Sequence, residues 1–72
     1  MKVGDIVEHY NGATAVVTEV EMMYPNNPYS PVGRIAVDWI GAAPGWWHRG
    51  LKFDATSINR VISRGVGKGS QV

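Results

Sequence analysis

Trp46-Trp47-His48-Arg49 puts two indoles, an imidazole and a guanidinium at four consecutive positions. Trp and Arg are the side chains from which protein–protein hot spots are most often built. Neighbours on an extended strand face opposite sides. If Trp47 enters a core, Trp46 must therefore face out beside His48, with Arg49 nearby. A second group is Tyr24-Pro25-Asn26-Asn27-Pro28-Tyr29-Ser30-Pro31. Its prolines lower the entropy cost of presenting a loop, and its tyrosines give contact area at little side-chain entropy cost. The competing reading is that Tyr24 and Tyr29 fold back over the core while the prolines only block edge pairing. The candidate protein-binding residues are thus Trp46, His48, Tyr29, Tyr24, Pro28 and Arg49. A cage for a methylated amine, drawn from Tyr10, Tyr24, Trp39 or Trp46, is open to these residue types but needs three rings to converge.

Catalytic chemistry finds little to work with. Nucleophilic catalysis needs a hydroxyl within reach of an oriented base. The only imidazoles are His9 and His48, and no motif ties either to Thr14, Thr18, Ser30, Thr56, Ser57, Ser63 or Ser70. His9 is expected to be structural, at the end of a hairpin. Asp38 and Asp54 could pair as acid and base, but Asp54 reads better as a helix cap. There is no Cys, and no zinc-ligand spacing surrounds the histidines. Gly65, Gly67 and Gly69 precede no helix, so the phosphate-binding geometry is missing. The expectation is a protein that is not an enzyme and takes no cofactor, metal or small-molecule substrate. Arg60, Arg64 and Lys68 could touch phosphates. Three cations over nine residues make a thin patch, so nucleic acid is the alternative partner, with weak binding at most.

The elements that would position these groups are nearly all strands. Ile6–Tyr10 and Ala13–Tyr24 flank Asn11-Gly12, the strongest short-range hairpin signal. Val16, Thr18, Val20 and Met22 share one face of the second strand and are the better core set, with Thr18 near an end or a bend. Pro25–Pro31 cannot be a central strand or a helix. Gly33–Ile40 forms strand three, with Ile35, Val37 and Trp39 inward and Arg34, Ala36 and Asp38 outward. After a turn at 41–45, Trp46–Phe53 reads as strand four, with Trp47, Leu51 and Phe53 inward. Arg49 falls on that inward parity, which points to a bulge near Gly50 or an Arg at a barrel rim. Asp54–Ile58 fits one helical turn capped by Asp54, and Asn59–Ser63 closes as strand five. The expected core is Val7, Val16, Val20, Ile35, Val37, Trp47, Leu51, Phe53 and Ile62. Residues 1–63 are one domain, and 64–72 have the composition of a flexible Gly-rich tail.

Seventy-two residues bury only about 60–65% of the surface the unfolded chain exposes, so a partner subunit is a natural source of stability. Residues 1–24 hold Lys2 against Asp5, Glu8, Glu19 and Glu21, a net of −3; the remainder holds six cations against Asp38 and Asp54, a net of +4. Either the two halves attract a polarised neighbour, or the strands mix in space and the difference averages out. No apolar run reaches the ~18 residues of a membrane span. The opening residues do not read as a signal peptide, and the default expectation is cytoplasmic.

Taken together, these elements form an all-β, five-stranded SH3-like barrel with one short helical turn before the last strand. The Val3-Gly4-Asp5-Ile6-Val7 opening, the Gly12–Val20 strand and the Asp54–Ile62 ending resemble KOW- and Tudor-like barrels. More narrowly, they resemble the small single-domain SH3-like proteins of bacteriophages. The chain departs from the ribosomal KOW pattern at Ala15 and lacks basic residues in strand two. It also lacks the acidic first loop of signalling SH3 domains. The bacteriophage resemblance implies a structural or interaction module. That would be a virion component, such as a capsid cement or decoration protein, docking on a larger protein or in a homo-oligomeric assembly. A regulator of a host protein is a further expectation, and a virion is then the alternative location.

Overall fold

The computed structural model describes residues 1–64. The Gly-rich segment from Gly65 onward, with Lys68, lies outside the described residues. Five antiparallel strands follow in chain order: β1 (Ile6–His9), β2 (Thr14–Met22), β3 (Val32–Ile40), β4 (Lys52–Asp54) and β5 (Ile58–Ser63), with a 3-10 turn at Ala55–Ser57 before the last. They form one sheet in the order β4-β3-β2-β1-β5. β4 and β5 are its two edges and share no ladder, so the sheet is not closed into a barrel. The SH3-like barrel is corrected on this point. Alternation along strands reports which side chains face inward, but closure requires edge pairing that alternation does not encode.

The first hairpin forms where Asn11-Gly12 places it, with a longer loop than a two-residue turn. The N–H of Gly12 donates to the carbonyl of His9, and the N–H of His9 donates to that of Ala13. Tyr10, Asn11 and Gly12 are the loop, and Gly12 sits at φ 89°, as a three-residue hairpin ending in a left-handed glycine demands. Strand one therefore stops at His9 and does not include Tyr10.

On β2 the expected inward set is displaced. The residues sealed from solvent are Ala15 and Val17, while Val16 is half-buried and Thr18 exposed. The ladder with β3 skips between Val17 and Glu19: Val17 pairs with Val37, and Glu19 with Ala36. Thr18 is the extra residue of this bulge. It resets the parity so that Val20, like Val17, joins the core. β3 runs as expected, with Ile35 and Val37 buried and Trp39 half-buried. Ala36, expected to face outward in solvent, is nonetheless buried. Its ladder partners are Glu19 and Lys52, which ion-pair at 3.6 Å and cover it.

The central core is Val7, Ala15, Val17, Ile35 and Val37, flanked by Met1, Val20, Val32, Trp39, Phe53, Ala55, Ile58 and Val61. Ile62 is exposed and Val61 takes the inward place, because the β1–β5 ladder shifts register between Ile6 and Val7. Trp47 and Leu51 are half-buried and lie outside this core. Asp54 caps the 3-10 turn as expected: its Oδ1 accepts from the Thr56 N–H and from the Thr56 hydroxyl, both at 2.9 Å.

Candidate functional site

Strand four is three residues long, so Trp46–Leu51 is not extended and strand parity does not govern it. The segment makes two successive β-turns. The N–H of Trp47 donates to the carbonyl of Pro44, and that of Leu51 to the carbonyl of His48. Gly50, the third residue of the second turn, has φ 85°, a left-handed conformation that side chains disfavour. The doubled turn folds the loop back against the sheet and drives its indoles into a ring cluster.

His9 is the centre of that cluster. Its side chain is buried, and its ring lies 4.3 Å from that of Tyr10, 5.3 Å from Trp39, 5.4 Å from Phe53 and 5.8 Å from Trp46. Trp46 meets Trp39 and Phe53 edge-on at 6.1 and 6.0 Å. Trp47 meets Trp39 perpendicularly at 6.5 Å. His9 Nδ1 accepts the Asn11 N–H at 3.2 Å. That bond ties the ring to the hairpin loop. The expected structural role of His9 is therefore filled, and with more partners than a hairpin end alone would give. Three of the four candidate cage residues, Tyr10, Trp39 and Trp46, do gather here, but the space between them is taken by the imidazole. Tyr24 lies at the other end of the sheet, and no cavity opens among the described residues. The indole N–H groups of Trp39 and Trp47 are buried without a hydrogen-bond partner.

The exposed candidates divide between two places. Trp46 keeps 51% of its surface open. His48 and Arg49 beside it are exposed, and the Arg49 guanidinium lies 3.6 Å from the Asp38 carboxylate. Tyr24, Pro28 and Tyr29 sit on the β2–β3 loop. There the N–H of Asn27 donates to the Tyr24 carbonyl and that of Ser30 to the Asn27 carbonyl. Asn27 Oδ1 accepts from the Tyr29 N–H at 2.9 Å, and the Ser30 hydroxyl accepts from the Tyr24 N–H at 2.7 Å. The loop is thus held by its own hydrogen bonds and presents Tyr29 at 91% exposure, with Met22, Met23 and Tyr24 also open. Neither tyrosine folds back over the core. Residues 22 and 23 carry no strong sequence signal for such a ledge, because Met22 reads as a core position on unbroken parity. The two places are not one surface: Met22 pairs with Val32 at one end of the β2–β3 ladder, and Thr14 with Ile40 at the other. Eight residue steps separate them along β3, about 26 Å.

Four cations of the sheet and its loops, Arg34, Arg49, Lys52 and Arg60, are paired. Arg60 pairs with Glu8 at 2.9 Å, Arg34 with Glu21 at 2.6 Å, and Lys52 with both Glu19 and Glu21. The acidic first third and the basic remainder of the chain thus neutralise each other across the sheet. The hydrogen bond from Arg34 holds the Glu21 carboxyl below the usual carboxylate range, and the guanidinium is raised in turn. The Thr56 N–H and hydroxyl hold Asp54 low in the same way. Of the alternative phosphate contacts, Arg60 is paired, Arg64 is exposed at the end of β5, and Lys68 lies outside the described residues. Among the described residues no three His, Asp or Glu side chains gather as metal ligands, and no helix is long and apolar enough to cross a membrane.

Comparison of the chain with protein-family profiles, with curated proteins and with solved structures returns no match in any of the three. With the sheet open and no match to support it, the virion and capsid-decoration expectation drawn from the resemblance is withdrawn.

Proposed function

We propose that this chain is a non-enzymatic protein-interaction module that binds another polypeptide through side chains displayed on its loops. The observation that carries the reading is the β2–β3 loop: five internal hydrogen bonds around Tyr24–Pro31 hold an almost fully exposed Tyr29. A loop ordered before binding gives up less entropy on contact. Aromatic side chains on it supply large contact area, and methionines add surface that adapts to a partner. Trp46 offers a second anchor at the opposite end.

The test is site-specific photocrosslinking in cells expressing the chain. A photoreactive side chain at Tyr29 or Trp46 is expected to give protein adducts, and one at exposed Asn59 on β5 is the control. Adducts to polypeptide from positions 29 or 46, absent from 59, support the reading. Equal labelling at all three positions, or none at 29 and 46, overturns it.

A further inference from the structure

We infer that the partner includes a second copy of this chain, joined head to tail, with the β2–β3 loop of one copy seated on the Trp46 end of the next. The inference rests on the protein-interaction reading and names its occupant. Three observations carry it.

The first is the distribution of charge. No charged side chain occurs from Met22 to Gly33, none from Tyr10 to Thr18, and none from Trp39 to Trp47. The β2–β3 loop end is therefore uncharged, and at the other end the nearby charges, Glu8 opposite Thr14 and Arg49 beside Trp46, are already paired within the molecule. Glu19–Lys52 and Glu21–Arg34 pair along the middle of the sheet, and Glu8–Arg60 and Asp38–Arg49 pair near its Trp46 end. Bringing one end onto the other strands no unpaired charge, the usual penalty for a mismatched contact.

The second is the amount of open apolar surface. One end shows Met22, Met23, Tyr24 and Tyr29; the other shows Tyr10 at 67%, Ile40 at 51% and Trp46. An aromatic side chain buries about 150–250 Å² when covered, so the four aromatics alone hold on the order of 500 Å² in the open. With the methionines and Ile40, the sum approaches the roughly 1,000 Å² at which specific interfaces begin.

The third is shape. The loop end is a segment held by its own hydrogen bonds with Tyr29 open, whereas the Trp46 end is a cluster of rings packed around His9. The two ends differ, so the contact joins unlike surfaces. A heterologous contact of this kind repeats, giving a ring if the rotation closes and an open chain if it does not.

Sedimentation equilibrium from micromolar to millimolar protein tests this. The wild-type mass is expected to rise with concentration beyond a dimer. Tyr29→Ser and Trp46→Ser each disable one end of every copy, so each alone should stay monomeric, with association at least tenfold weaker. Mixed, they retain one good end apiece and should form a one-to-one dimer that grows no further. If Trp46→Ser does not fold, Ile40→Glu disables the same end from an exposed strand-end position. A wild type that stays monomeric at millimolar concentration overturns head-to-tail assembly. So does a Trp46→Ser variant that still dimerises, which would show loop-to-loop contact, or a mixture that stays monomeric. Crosslinks from position 29 to a different polypeptide, with no self-adduct, would overturn the self-assembly while leaving the interaction module intact. Absence of any specific adduct would remove both.

Discussion

At the scale of single residues, the indoles of the 41–51 loop have separable roles. Trp47 is half-buried with its N–H unpaired. Truncation to Ala removes ring packing and should cost roughly 2–3 kcal/mol, below the 3–5 of a fully buried aromatic. Trp47→Phe keeps a ring and removes the orphan donor, whose burial costs about 1–3 kcal/mol. Urea denaturation should therefore place Trp47→Phe within about 1 kcal/mol of wild type. A loss equal to that of Trp47→Ala would mean the N–H does have an acceptor in solution. Trp46→Ala forfeits two edge-on contacts worth about 0.5–1.5 kcal/mol each, so a cost of about 1–3 kcal/mol is expected. That is more than a freely exposed Trp would show, and it follows from the contacts with His9, Trp39 and Phe53. Acid sensitivity belongs at this scale as well. The carboxyls of Asp54 and Glu21 are depressed in the folded chain, by the Thr56 N–H and by the Arg34 hydrogen bond respectively. A depressed carboxylate stabilises the fold above its unfolded pKa, and that contribution is lost as pH falls through the folded value. The melting temperature of wild type should therefore fall on the acid side of the ordinary carboxylate range. Asp54→Asn keeps an oxygen acceptor for the cap but does not titrate, so its melting temperature should fall less steeply over that window. An unchanged slope would show that Asp54 contributes nothing to it.

At the scale of elements, the Gly50 turn decides where the indoles go. Gly50→Ala puts a side chain into a left-handed conformation at a cost of about 1–2 kcal/mol. Nothing lies within 4 Å of the added Cβ, so the loss should come from the backbone alone. It should be accompanied by a change in Trp fluorescence as the 41–51 loop loosens. A stable variant with unaltered emission would show that the loop does not depend on the turn. The same segment marks the limit of what alternation reveals. β3 was legible because Arg34–Trp39 is a regular strand, and its inward residues fell on Ile35, Val37 and Trp39. The run after Pro44-Gly45 also alternates, yet it folds as turns; the Arg49 conflict and Gly50 were the signals against a strand. On β2 a threonine on the apolar stripe pointed to an end or a bend at Thr18, and the bulge falls there. The residue types did not show that the skip between Val17 and Glu19 shifts the parity of the strand. Parity therefore exchanged Val16 for Ala15 and Val17 in the core. The loops told more. The prolines and asparagines of Pro25–Pro31 correctly excluded strand and helix, but the ledge of Met22 and Met23 beside them depends on register and was not readable.

At the scale of the whole molecule, the charge pattern bears on what the protein binds. The sequence separates acid from base along the chain, and the antiparallel order β4-β3-β2-β1-β5 brings them back together. Glu19 and Glu21 on β2 face Arg34 on β3 and Lys52 on β4, and Glu8 on β1 faces Arg60 on β5. These pairs are mostly exposed, so each contributes little to stability. Their effect on partner choice is larger. A phosphate backbone gains affinity by releasing counterions from cations that are free to meet it. Here Arg34, Arg49, Lys52 and Arg60 each already have a carboxylate within 4.0 Å. A nucleic acid would have to displace those carboxylates while facing the acidic residues it uncovers. Binding to single- or double-stranded oligonucleotides at near-physiological salt should therefore be weaker than micromolar, with a shallow dependence on salt. Glu8→Gln supplies the internal control, because it frees Arg60 without adding a cation. That variant should bind an oligonucleotide measurably better than wild type, and the salt slope should steepen by about one released counterion. Submicromolar binding by wild type, with a steep slope, would mean that the ion pairs across the sheet open in solution and that the basic half of the chain acts as a surface of its own.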